Sequence, residues 1–486
     1  MPTDISTDIP IGALRKDALG VPHIVFFVVA AAAPLTAVVG VTPAAFMLGN
    51  GPGVPLTFLL VGALYLLFSA GFTAMSGFVG SAGGFYSYIV AGLGRPAGVA
   101  GAMIALATYS AIEIGLCGLF GFFLNDMVMA HRGPALEWWI YPVGLLAIVY
   151  ACGRRSIEFS GAVLACCMIA EVAILLLLGV AILLMATAGP AEPALFGPFG
   201  PTALMPGLGM ALVFVVTAFV GFEATAIFGE EARDRGITIP RATYIAVILI
   251  ALFYAFATWT ISLYYEPGRI AEQASLHTAT LYLTPVKVLL GLTAGHVMEG
   301  LLVASLFACG LSFHNTLNRY LFAAGREGLL WRGLGRTHPD HHSPLVAGSV
   351  QTIVMLLAIA LFALGGADPY AVVFSWMGTF SSLGILMLQM LVSLAVIAFF
   401  WRNGRGMSVW RRLVAPALSA LGLAACFVMM AGNLALVSGS NSLIVQAFPW
   451  LLLAIGLAGA GLALWLKVSR PKVYAHLGRG FSAGLE

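Results

Sequence analysis

The chain has 486 residues, 60% of them hydrophobic and 9% charged, against roughly 25% charged in an ordinary soluble domain. A mean hydropathy of +0.99 excludes a water-soluble globule and makes the lipid bilayer the expected surroundings. The net charge of +3, from 23 basic and 20 acidic side chains, gives no ground for a nucleic-acid partner.

A spanning helix needs about 20 mainly apolar residues. Runs of this kind, bounded by charges, Pro or Gly, lie near 23–48, 54–78, 97–124, 138–153, 159–187 and 204–228, then near 241–265, 297–323, 345–365, 370–400, 413–437 and 444–467. The pattern predicts an all-α polytopic membrane protein of about 12 transmembrane helices, with both termini on one side. Residues 1–20 are polar and partly acidic, and the apolar run after them is far longer than a signal-peptide core, so the first segment is expected to remain as a helix. Only Arg132, Arg269 and Lys287 of the 23 Lys and Arg fall on one side, which leaves 20 on the other. Positive residues concentrate in cytoplasmic loops, so the N-terminal segment 1–22 and the C-terminal tail 468–486 are predicted to be cytoplasmic in a cell membrane.

The six cysteines lie in or beside apolar segments without a CxxC pair and read as small packing residues. There is no HExxH, and His338, His341 and His342 sit in a proline-flanked loop, so no metal site is expected. Gly49, Gly51 and Gly53 between two apolar runs form a turn rather than a phosphate cradle. No nucleophile and base pair stands out, so neither an enzyme nor a cofactor is expected.

Interrupted spans at matching positions of two halves point to a transporter's binding site. The first segment carries Ala30-Ala31-Ala32-Ala33-Pro34-Leu35-Thr36-Ala37-Val38, with a proline in mid-membrane that removes a backbone donor. The sixth carries Ala218-Phe219-Val220-Gly221-Phe222-Glu223, with a glycine beside a carboxylate. A plainer reading has Pro34 kinking its helix and Gly221 allowing close packing. The pairing favours two broken helices, each opening a unit of five.

Several further motifs follow in order: Ser81-Ala82-Gly83-Gly84-Phe85-Tyr86-Ser87-Tyr88, Gly94-Arg95-Pro96, Glu230-Glu231-Ala232-Arg233, Ile239-Pro240-Arg241-Ala242, and Asn318-Arg319-Tyr320 running to Gly328. With Gly221-Phe222-Glu223 they resemble the amino acid–polyamine–organocation (APC) permease superfamily over nearly the whole chain. That resemblance implies a LeuT-like fold: a first five-helix repeat over 23–187, an inverted second repeat over 204–400, and two additional helices over 413–467. It also implies alternating access, with helices one, two, six and seven rocking against the rest.

Freed N–H groups of Thr36, Ala37 and Val38 would lie at a positive helix end and suit a substrate carboxylate, with Ala33, Pro34 and Leu35 forming the break. The carbonyls of Ala218, Phe219 and Val220 would suit an ammonium group, and Phe219 and Phe222 resemble a gate. The family usually has a glycine-rich first break. Four alanines here narrow the approach and leave room for amines that lack a carboxylate.

Three deep carboxylates, Glu113, Glu171 and Glu223, each carry an insertion penalty of roughly 2.5–3.5 kcal/mol at a helix centre and are functional candidates for that reason. Glu171, where some proton-coupled relatives resemble one another in having a lysine, is the expected proton-coupling residue. Glu223 is expected to cap the sixth-helix break or to carry the proton, and Glu113 to meet the substrate side chain or to bond a neighbouring helix. Ser312 and Asn315 form a possible cation site, since sodium wants several oxygen ligands. A proton is the expected coupling ion ahead of sodium.

The leading expectation is a permease importing amino acids by proton symport. A polyamine or small organic amine permease and an amino acid exchanger are the alternatives within transport. A non-transporting membrane sensor is the alternative of another class. The oligomeric state is not legible.

Overall fold

The computed structural model describes residues 20–79, 84–154, 161–187, 197–204, 207–223, 225, 232–266, 268–337, 343–403 and 406–478. Parts of three motifs (Ser81, Ala82 and Gly83; Glu230 and Glu231; His338, His341 and His342) lie outside the described residues.

The first predicted span is two helices, α1 (Val21–Ala31) and α2 (Pro34–Leu48). The second span is α3 (Val54–Ser76). A short α4 (Phe85–Leu93) then leads into α5 (Arg95–Ala130), followed by α6 (Ile140–Arg154) and α7 (Gly161–Thr187). The second half opens with α8 (Leu208–Ala218) and α9 (Arg235–Tyr264). Two short helices, α10 (Ile270–Leu276) and α11 (Leu283–Leu289), precede α12 (Leu292–Arg326). After them come α13 (Leu345–Leu364), α14 (Pro369–Asn403), α15 (Trp410–Gly432), α16 (Phe448–Ser469) and the short α17 (Pro471–His476).

Among the described residues, nine helices are long and apolar enough to cross a membrane. Three shorter apolar ones, α2, α6 and α8, fall where the first, fourth and sixth segments are predicted. Helices satisfy their own backbone polar groups, which is why an apolar chain can be laid through lipid in this form. Their outward side chains stay apolar, as with Leu364 of α13 at 88% exposed and Trp450 of α16 at 72%.

Small residues let the helices approach closely. The most extensive packing joins α9 to α3, where a Cβ placed on Gly62 would meet the Ala251 Cβ at 2.5 Å. On the other side, α5 packs against α12, α14 and α16, and α7 packs against α9 and α12. The first turn of α2 is held between α7 and α12. The interrupted first span is therefore central to the bundle, and its irregular backbone lies in protein rather than lipid.

Candidate functional site at the two helix breaks

The first break falls at Ala32 and Ala33, between α1 and α2. Pro34 cannot continue a helix because it lacks an N–H, but its fixed φ suits the first position of a new one. Ala33 makes the turn in the left-handed region, at φ 44° and ψ 73°, a conformation that costs a residue with a Cβ about 1 kcal/mol. A break in mid-bundle leaves orphan carbonyls on one side and orphan amides on the other. Both sides are served here. Tyr254 of α9 donates its hydroxyl to the Ala32 carbonyl at 3.4 Å, and the Leu35 N–H donates to Glu171 Oε2 at 3.2 Å.

Glu171 is 4% exposed and is held by more than that amide. Ser305 of α12 donates to the same Oε2 at 2.9 Å, and Thr36 donates to Ser305 at 3.0 Å. A buried carboxylate thus ends a chain of hydroxyls at the positive end of α2, where dipole and donors both favour negative charge. Further along α2, residues Ala37–Val41 form a π-turn. Tyr370 donates to the Gly40 carbonyl at 3.1 Å.

The second break follows α8. Gly221 stands at φ 114°, a backbone conformation that a Cβ disfavours. Its N–H donates to Glu223 Oε2 at 2.9 Å, while Tyr109 of α5 donates to Oε1 at 3.1 Å. Glu223 therefore caps the chain two residues back. The Phe219 carbonyl is taken by the Phe222 N–H at 3.3 Å. The two breaks lie in packed elements, since α2 rests against α8.

Several expectations need correction against this geometry. Ala37 does not offer an open amide, because its N–H donates to the Ala33 carbonyl at 2.9 Å; the left-handed turn of Ala33 presents that oxygen to it. Phe219 and Phe222 are fully buried and pack on Tyr65 of α3 with ring centroids 5.1 Å and 4.8 Å away. In this conformation they are core rather than gate.

Glu113 bonds neighbouring helices instead of facing the breaks. His314 Nδ1 of α12 lies 2.7 Å from its Oε1, and Gln351 of α13 donates to its Oε2 at 2.7 Å. Asn315 is exposed and lies beside Gly153 of α6. The hydroxyl of α12 that reaches the break is Ser305, seven residues before Ser312 and so about 10 Å along the helix.

Ser305, Tyr109, Tyr254, His314 and Gln351 were not singled out by the sequence reasoning. Each is a polar side chain inside an apolar run, and for a deep carboxylate such residues on other spans are the partners to look for.

A sequence profile for the family described as Amino acid permease matches residues 23–472. The chain belongs to that family. It is 24% identical over 310 residues to the low-affinity putrescine importer PlaP of Escherichia coli (strain K12), covering 61% of this chain and 64% of the importer. The match thus spans a little less than two thirds of that relative's length. The chain is also 24% identical over 396 residues to the branched-chain amino acid permease BcaP of Lactococcus lactis, covering 76% of this chain and 80% of the permease. A third relative is the mouse cationic amino acid transporter 4, 24% identical over 375 residues, with 71% and 54% covered. The permease family and its apolar helices make this a multi-pass membrane protein, and its named relatives are transporters rather than enzymes.

Proposed function

We propose that this chain is a secondary active transporter that imports amino acids across the cell membrane by proton symport and alternating access. We read the nine long and three shorter apolar helices as twelve spans with cytoplasmic termini. The first ten form two inverted five-helix repeats, each opening on a broken helix.

The observation that carries the mechanism is Glu171 on the Leu35 N–H. A substrate carboxylate seeks the amides at the start of α2, and the protein's own carboxylate already holds one of them. Two ionised carboxylates do not share one donor group. A proton arriving on Glu171 removes its charge and lets the substrate's carboxylate take the seat. The substrate's ammonium is then met by carbonyls at the end of α8, with those of Ala218 and Val220 as the candidates. Release of the proton on the inner side returns Glu171 to Leu35 and expels the substrate carboxylate. Proton and substrate thus travel in the same direction. Glu223 maintains the second break through this cycle, and Ser305 steers the Glu171 carboxylate.

A second reading, import of a small organic amine or polyamine, is favoured by the alanines of the first break and by the similarity to a putrescine importer. There Glu171 itself receives the ammonium. Proton and substrate then compete for one carboxylate and move in opposite directions. Uptake of labelled neutral amino acids, cationic amino acids and diamines into proteoliposomes separates the two. Amino acid accumulation driven by an inward proton gradient supports the first reading, and diamine uptake that such a gradient suppresses supports the second. Ligand binding without flux of any class contradicts both and leaves a sensor.

A further inference from the structure

We propose that His131, His296 and Glu299 form a binding site for a zinc-class divalent ion on the face that the lysine and arginine distribution predicts to be extracellular. His131 stands at the C-terminal end of α5. His296 and Glu299 lie three residues apart in the first turns of α12, a spacing that puts two side chains on one helix face. Their ligand atoms all lie within 4.8 Å of one another, and the two imidazole rings are 5.4 Å apart. No local spacing in the sequence unites them, because the two helices are brought together only by the fold.

The arrangement has the marks of a metal site rather than of an ion pair. His131 Nδ1 lies 2.9 Å from the Met127 carbonyl. A carbonyl can only accept, so Nδ1 carries the hydrogen and the Nε2 lone pair of the neutral ring is left to coordinate, as for a metal-bound histidine oriented by a backbone oxygen. Nε2 lies 3.5 Å from Glu299 Oε2. That is beyond a good hydrogen bond, but close to the separation of roughly 3.3 Å between two ligands about 2.0–2.1 Å from a tetrahedral zinc.

The second carboxylate oxygen is fixed from behind, since Lys287 Nζ of α11 lies 2.7 Å from Oε1. Two imidazoles and one carboxylate form a ligand set suited to zinc, with a fourth place left for water. The bound ion would join the outer ends of α5 and α12 beside the lysine of α11.

The test is a calorimetric titration of chelator-stripped, detergent-purified full chain with Zn²⁺. The expected result is saturable binding of one ion per chain, weakened at least tenfold by His131→Ala and by His296→Ala. Both residues are exposed, and gel filtration checks that the variants stay monodisperse. Lys287→Met should keep or tighten binding by removing the competitor for Glu299, whereas Mg²⁺ should give no comparable isotherm. The proposal is overturned if the wild-type chain shows no saturable Zn²⁺ binding, or if neither histidine variant changes it.

Discussion

Glu113 and His314 meet 2.7 Å apart at the junction of α5 and α12, both almost fully buried, and Gln351 closes the carboxylate's other side. The group links three helices through buried hydrogen bonds. Removing one partner exposes a buried carboxylate oxygen to an apolar wall. We expect His314→Ala to lower stability by about 2 kcal/mol, read as a reduced thermal midpoint in detergent. His314→Gln, which keeps a donor, should recover most of that loss. Equal midpoints for the alanine and wild-type proteins would show that the bond carries no stability.

At the second break, Gly221 and Glu223 act as one unit. Gly221→Ala places a Cβ on a residue at φ 114°, a strain of about 1–3 kcal/mol, and should reduce uptake sharply. Glu223→Gln keeps an acceptor for the Gly221 amide and should retain substrate binding, whereas Glu223→Ala should lose it. Loss of binding in both Glu223 variants would instead make the charge essential there.

The cation question separates on one helix. Ser305 touches Glu171, whereas Ser312 lies about two turns further along α12 and Asn315 is exposed beside Gly153 of α6. Ser305→Ala should change the pH dependence of uptake, while Ser312→Ala and Asn315→Ala should leave uptake unchanged and independent of sodium. Sodium-stimulated uptake abolished by Ser312→Ala would reverse that assignment.

Ala33 is the residue whose backbone makes the first break. Ala33→Gly relieves the left-handed strain of about 1 kcal/mol but adds unfolded-state entropy of roughly 0.5–1 kcal/mol, so its stability should stay close to wild type. Ala33→Val, β-branched at φ 44°, should be clearly less stable. A large stabilisation by glycine would mean that the unfolded chain contributes little.

The helical plan was legible because hydropathy reports directly on lipid, and Pro34 and Gly221 announced the breaks because both residues alter the backbone itself. The depth of Glu171 and Glu223 was legible for the same reason. Their partners were not. Leu35, Ser305 and Tyr109 come from different helices, and one sequence does not fix how each helix is rotated about its axis. This is why Ser312 stands out in the sequence and Ser305 does not, and why Glu113 reads there either as a substrate contact or as a bond to a neighbouring helix. Nothing in the run of apolar residues told a gate phenylalanine from a core one, since Phe219 and Phe222 satisfy either.

In the proposed cycle, the Glu171 carboxylate competes with substrate for the start of α2 until a proton neutralises it. The most direct test is uptake by the Glu171→Gln variant in proteoliposomes with an inward proton gradient, measured beside exchange of internal for external substrate. Exchange should persist and gradient-driven accumulation should be lost, because a permanently neutral side chain leaves the seat open but no longer takes up a proton. Full accumulation by the variant would contradict this cycle.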